Sequence, residues 1–382
     1  MSELTNLFKF VNNNTRGTLL EAHIADIHFG SIDPKVQYDI LKEQFLDKIF
    51  RLKLDIISIN GDLFDHKFMS NSDVIMYAMD FIDRIVQYCR NTGCTLILLH
   101  GTLSHDANQL KLFYRYLNDN TVDVRIVEDA RFEIVKNKKI LCIPELYGRG
   151  SLFYNNLFYN SGLYDSAILH GTIAGSIYGK SIEDLNSSRE PVFDINNFIY
   201  CKGPVIAGHV HVAQCIKSDM YYTGSPIRDK FGEEQPKGFF LLIHNLDTRQ
   251  YLMHFEEIKS FRYDTINLDF LATEDPKVMI KYINDLKSQG IDNIRVEFTI
   301  ENSNIELVKE YYRTCSNVVI KDLLKSRQLD IKKKEFESRF SQYSYVLDKN
   351  LSEYEILSRY INQNMGYKYI TADEIIDLLK DV

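Results

Sequence analysis

From residue 18 to about residue 257, short apolar runs alternate with amphipathic stretches, and this alternation constrains the fold more than any other feature. Residues 19–25 read as a buried strand, 36–52 as a helix, and 55–60 as a second strand. A helix over 72–91 and a third strand over 95–99 follow. A β-α-β-α-β order predicts a layered α/β domain, because each helix must bury its apolar stripe against a sheet face. Further strands are expected at 122–127, 132–135, 140–143, 166–169 and 205–207, with a closing hairpin at 239–244 and 250–255 around the turn-forming residues 245–248.

The pattern changes after Lys259. Ile266, Leu268 and Phe270 alternate as in a half-buried strand, and Asp275 with Pro276 provides a cap and first turn for a helix. Met279, Ile283 and Leu286 fall on one helical face, and Gly290 stops it. An alternating run at Ile294, Val296, Phe298 and Ile300, a helix over 305–314 and a strand over 318–320 complete a small α+β second domain. The expected divisions are therefore 1–259, 260–325 and a charged helical tail over 326–382. The tail carries Lys332, Lys333 and Lys334 in one run. It also has capping boxes at Ser352 with Glu355 and Thr371 with Glu374. Two apolar stripes, one on Leu351, Tyr354, Leu357 and Ile361 and one on Ile375, Ile376 and Leu379, suit either core or a partner groove.

Composition removes some function classes. No stretch approaches the roughly 20 apolar residues that a membrane span needs. The polar, Asn-rich residues 1–17 are not expected to act as a secretory signal. Six cysteines without a CxxC pair argue against a zinc ribbon and for a reducing, cytoplasmic setting. The net charge of -8 lacks the basic footprint of a typical nucleic-acid binder. Bound dications would reverse that deficit locally, so the substrate stays open on charge alone.

Histidine placement is more informative. Asp26-Ile-His28 follows the first expected strand, and Gly61-Asp62-Leu-Phe-Asp65-His66 the second. Gly101-Thr102-Leu-Ser104-His105-Asp106 follows the third. His170 ends the 166–169 strand, and Gly208-His209-Val-His211 follows a later one. Strand ends are where α/β proteins assemble their sites. Imidazole mixed with carboxylate suits manganese, iron or zinc rather than calcium. A metal pair about 3.5–4 Å apart neutralises a phosphodiester and activates water against it. His23, His244 and His254 read as packed structural residues, His66 as a neighbour of the ligands, and His100 is open.

Together the segments resemble the calcineurin-like metallophosphoesterases, whose motifs run D-x-H, G-D-x-x-D, G-N-H-D, a lone H and G-H-x-H. His23-Ile-Ala-Asp26-Ile-His28 is similar to the opening of the SbcD-type DNA repair nucleases. So are Tyr222-Thr-Gly224-Ser225-Pro226-Ile-Arg228, Phe231-Gly232-Glu233 and Lys237-Gly238-Phe239. The resemblance implies a layered β-sandwich flanked by helices, a capping domain, and a tail that docks on an SbcC-type ATPase; a homodimer is compatible with it. It implies that Asp26, His28 and His211 hold a first ion, that His170 and His209 hold a second, and that Asp62 bridges them. His105 would donate a proton or stabilise the transition state, oriented by Asp106, and Arg228 would contact DNA phosphate. The ions would be two manganese, with magnesium, iron or zinc as alternatives. The activity implied is exonucleolytic and endonucleolytic cleavage of DNA.

One departure stands out. The family's Asn is missing from Gly101-Thr-Leu-Ser104-His105-Asp106, which leaves Ser104, Thr102 or water as replacements and predicts a loosely held second ion. Two alternative functions remain: a phosphatase or nucleotide phosphodiesterase for small substrates, and a non-catalytic binding subunit with a degenerate site.

Overall fold

The computed structural model describes residues 17–149, 151–159, 162–177, 192–217, 219–233, 235–271, 274–300, 304–324, 355–356 and 358–360. They fall into two compact units, one extending to Asp264 together with Gly290–Asn293, the other comprising Thr265–Gln289 and the residues from Ile294 onward.

The first unit is a layered α/β structure built on two six-stranded sheets. One has the order β14-β13-β1-β2-β3-β4, from β1 (Thr18–Ile24), β2 (Ile56–Asn60), β3 (Thr95–Leu99), β4 (Asp123–Val127), β13 (Gly238–Asn245) and β14 (Tyr251–Glu257). β1 to β4 run parallel, while the β13–β14 hairpin joins the edge of β1 antiparallel. The other has the order β11-β12-β10-β7-β6-β5, from β5 (Arg131–Val135), β6 (Lys138–Ile143), β7 (Ser166–His170), β10 (Val205–Gly208), β11 (Gln214–Lys217) and β12 (Met220–Tyr222). Here β6, β7, β10 and β12 are parallel. A two-strand pair, β8 (Thr172–Ile173) and β9 (Val192–Phe193), lies apart from both.

Three apolar clusters account for the layering. Ile56, Ile97 and Leu242 of the first sheet pack against Val135, Ile140, Ile168 and Ile206 of the second, so the two sheets lie face to face. The other face of the first sheet is covered by α1 (Pro34–Leu41), the turn that follows it and α2 (Asp73–Thr92), through Leu41, Phe45, Phe81 and Ile85. α3 (Ser151–Tyr159) covers the second sheet through Tyr154 and Phe158. One ion pair lies within the sheet-to-sheet layer: Lys138 Nζ sits 2.5 Å from Glu21 Oε1, both fully buried. Burial pushes the Glu21 carboxyl up, but Lys138 and His23 outweigh it and hold the pKa at about 2.

Some elements differ from expectation. The helix expected over 36–52 is interrupted by a wide π-type turn at Lys42–Leu46, which turns Phe45 and Leu46 into the core. The alternation at Ile266, Leu268 and Phe270 does not continue as strand: β15 is Tyr263–Asn267, and Asp269–Leu271 forms a 3-10 turn. Asp269 causes the break, because its carboxylate accepts the Thr299 backbone N–H at 2.8 Å instead of pointing along a pleat.

In the second unit, β15, β16 (Asn293–Phe298) and β17 (Val318–Asp322) form one sheet carrying α4 (Pro276–Ser288) and α5 (Ile305–Tyr311). Asp275 caps α4 by accepting the Lys277 N–H, with Pro276 in the first turn. The Lys332–Lys334 run, the Thr371 capping box and the stripe on Ile375, Ile376 and Leu379 lie outside the described residues. So do Ser352, Leu351, Tyr354, Leu357 and Ile361; in that stretch 355–356 and 358–360 are helical. Among the described residues, no helix is long and apolar enough to cross a membrane.

Candidate metal centre

Parallel strands of both sheets end at this centre. β1 leads into Asp26 and His28, β2 into Asp62, and β3 into Thr102 and His105. From the second sheet, β6 leads into Glu145, β7 ends on His170, and β10 leads into His209 and His211. Asp26, His28, Asp62 and His209 all hold left-handed backbone, with φ of 51°, 50°, 51° and 94°. Such conformations are uncommon outside glycine and cost of order 1–3 kcal/mol each, so the surroundings must impose them. Hydrogen bonds do so here. Asp26 N donates to Gly61 O at 3.1 Å and His28 N to Asp62 O at 3.0 Å. His209 N donates to both Asp26 oxygens, at 2.9 and 3.0 Å, tying one sheet to the other.

Among the described residues five groups of side chains could hold a cation, and two of them adjoin across Asp62. In the first, His28 Nε2 and His211 Nε2 face each other at 3.0 Å, with Asp26 Oδ1 3.9 Å from His211 Nε2. In the second, Glu145 Oε2 lies 3.2 Å from His209 Nδ1 and 3.7 Å from His170 Nε2. Asp62 stands between them, its Oδ2 3.2 Å from His170 Nε2 and 3.8 Å from His28 Nε2.

The donor set fits divalent ions. His170 Nδ1 donates to Asn60 O at 2.7 Å, so in the neutral ring the Nε2 lone pair is turned toward Asp62 and Glu145. Three carboxylates, those of Asp26, Asp62 and Glu145, are at most 3% exposed. Glu145 Oε1 is buried with no hydrogen-bond partner among the described residues. Buried anions at such density require cations. The metal-free electrostatics express the same demand. Burial raises the Asp26 pKa, and burial would lower that of His170, but Asp62, Asp26 and Glu145 drive His170 well above the usual imidazole value. Burial also raises Glu145, yet His209 and His170 pull it below the ordinary carboxylate range. His28 is lowered to about 3 by burial.

Glu145, absent from the sequence motifs, is the ligand candidate that sequence reasoning misses. The available signal was positional: it follows the 140–143 strand directly, as the other candidates follow theirs. Of the replacements open to the family's missing Asn, it is Thr102 whose hydroxyl reaches the second group. Thr102 Oγ1 lies 3.2 Å from Asp62 Oδ2 and 3.0 Å from Glu145 Oε2, and Thr102 N donates to Asp62 Oδ1 at 2.6 Å. Thr102 thus fixes two carboxylates, while Glu145 reaches the second group.

His105 packs edge-on against His28, with ring centroids 4.6 Å apart. Its orientation corrects the expectation for Asp106. The fully buried Asp106 carboxylate accepts N–H groups from Phe64 at 3.2 Å and Gly101 at 2.8 Å, so it shapes the loop. Burial, with Asp62 adding to it, raises its pKa to about 6. His105 is oriented instead by the Asp65 carbonyl, which accepts from Nδ1. Arg228 belongs to none of the groups above, and its guanidinium donates to Gln235 O at 3.1 Å. His66 is exposed and paired with Asp65, His23 is buried beside Glu21, and His100 Nδ1 contacts Gly101 O at 2.8 Å. Glu233 lies 3.7 Å from His211 Nδ1 and is itself held by Lys237 at 2.9 Å.

No family model and no curated protein matches the chain. Solved structures match weakly. One aligns over its full length with 63% of this chain, at 14% identity and a TM-score of 0.37. A protein of unknown function from Aquifex aeolicus, AQ665, is 14% identical over 48% of this chain and 93% of its own, at a TM-score of 0.21. A cold-active protein-tyrosine phosphatase of a psychrophilic Shewanella species is 13% identical over 63% and 80%, at 0.28. At those scores none of them bears on this chain's chemistry.

Proposed function

We propose that this chain is a two-metal phosphodiesterase acting on DNA, of the SbcD nuclease type within the metallophosphoesterases. The observation that carries this reading is the convergence of Asp26, His28, Asp62, Glu145, His170, His209 and His211 from separate strand ends into two adjoining groups. Asp26, His28 and His211 would hold one ion and Glu145, His170 and His209 the other, with Asp62 shared. Ions bound there supply charge against the phosphate and a water nucleophile near neutral pH. Glu233 orients the His211 ring, and the Asn60 carbonyl orients His170. With Nδ1–H donating to Asp65 O, the doubly protonated His105 ring would have its Nε2–H left to give to the leaving oxygen. On the same reading residues 260–325 correspond to that family's capping domain, and residues 326–382 dock on an SbcC-type ATPase.

Purified full-length chain with manganese should degrade linear DNA. His105→Ala should lower kcat by roughly 10²–10⁴-fold while keeping manganese binding, the signature of a proton donor rather than a ligand. Asp62→Ala should abolish cleavage and remove at least one of the two ions. Cleavage that survives in both variants would refute the assignment. The net charge of -8 favours a second reading, a phosphodiesterase for small nucleotides. It predicts a higher kcat/KM on a nucleotide diester than on any DNA.

A further inference from the structure

We propose that a groove beside Glu145 binds one unpaired nucleotide of the substrate strand, next to the phosphate that is cut; this rests on the phosphodiesterase reading above. The groove has a volume of about 450 Å³, and its lining includes Leu103, Asn108, Lys111, Glu145, Leu146 and Tyr147. Its walls come from the loop that also carries His105 and from the loop after β6. It shares with the candidate metal centre one residue, the candidate ligand Glu145. The volume falls within the ~300–1,000 Å³ that small-molecule sites span, which suits a single nucleotide.

The lining has the chemistry a nucleotide requires. Leu103 and Tyr147 are 54% and 37% exposed and lie on different loops, giving two surfaces against which a base face can rest. The exposed Lys111 ammonium has no hydrogen bond or ion pair among the described residues, so it is available to a phosphate. Asn108 offers an amide to a base edge. The acids in the groove do not oppose this. Glu128 is engaged by the Tyr114 hydroxyl, and the Glu145 carboxylate faces His170 and His209. A wall that binds a base by its face needs that base out of the duplex, hence an unpaired nucleotide.

The test compares full-length chain with manganese on a short oligothymidylate and on methyl p-nitrophenyl phosphate, which carries a single ring and no nucleoside. The ratio of kcat/KM on the oligonucleotide to that on the small diester should fall about tenfold in Lys111→Ala and in Tyr147→Ala. Tyr147→Phe, which keeps the ring face, should restore it. An unchanged ratio in both alanine variants, with oligonucleotide still cleaved, overturns the groove and leaves the phosphodiesterase reading intact. A wild-type chain that turns over neither substrate overturns that reading, and the groove proposal with it.

Discussion

Four of the nine non-glycine residues with positive φ, among those described, are Asp26, His28, Asp62 and His209. Strain concentrated on would-be ligands is retained only where the neighbours over-determine it, and Gly101 is one such neighbour. A Cβ added at Gly101 would collide with the backbone N and Oδ1 of Asp62. Gly101→Ala should therefore weaken manganese binding about 10–100-fold, read by calorimetry, with the fold retained by circular dichroism. The motif residues were legible because histidine and aspartate recur after apolar runs. Glu145 was not, since a lone glutamate after a strand carries no motif, and the role of Asp106 was misread because adjacency to His105 in sequence is not contact. A second prediction concerns His244, buried at 1% exposure, whose pKa burial lowers to about 4. The unfolded ring takes a proton below about pH 6.5 while the folded one resists it to about 4. Stability is thus lost as pH falls through that window, by up to about 3 kcal/mol from this residue. Urea melts of metal-free protein at pH 7 and pH 4.5 should show a smaller difference in His244→Phe. An equal difference would discharge His244 from the effect.

At the scale of elements, strand ends set the chemistry. β1 to β3 and β6, β7 and β10 are parallel strands whose carboxyl ends carry every candidate ligand, so stacking the two sheets brings together residues distant in sequence. The strands were readable from apolar runs because central parallel strands are buried on both faces. The face-to-face pairing of two sheets was expected only through the family resemblance, since it arises from long-range packing of Ile97, Ile168 and Leu242 rather than from any local pattern. The β11–β12 pair escaped, its residues alternating only over short, half-exposed stretches. The Lys138–Glu21 pair lies inside the stack. Lys138→Met would take from the buried Glu21 carboxylate its lysine partner and leave only His23 beside it, and should cost about 3–5 kcal/mol in chemical denaturation. A loss under 1 kcal/mol would mean that the sheets pack without it.

For the whole molecule, the acidic charge of -8 and a centre dense in carboxylates describe a protein whose affinity for an anionic substrate depends on bound cations. Sequence alone pointed to a loosely held second ion; Glu145, which reaches toward His170 and His209, adds a charged donor to that group. Manganese titration calorimetry on the full-length chain is the most direct test of the adjoining pair of sites. The account predicts two ions per wild-type chain and at most one in Asp62→Ala, since that carboxylate stands between both groups. Wild-type protein that binds no manganese, or an Asp62→Ala chain that still binds two ions, would contradict it.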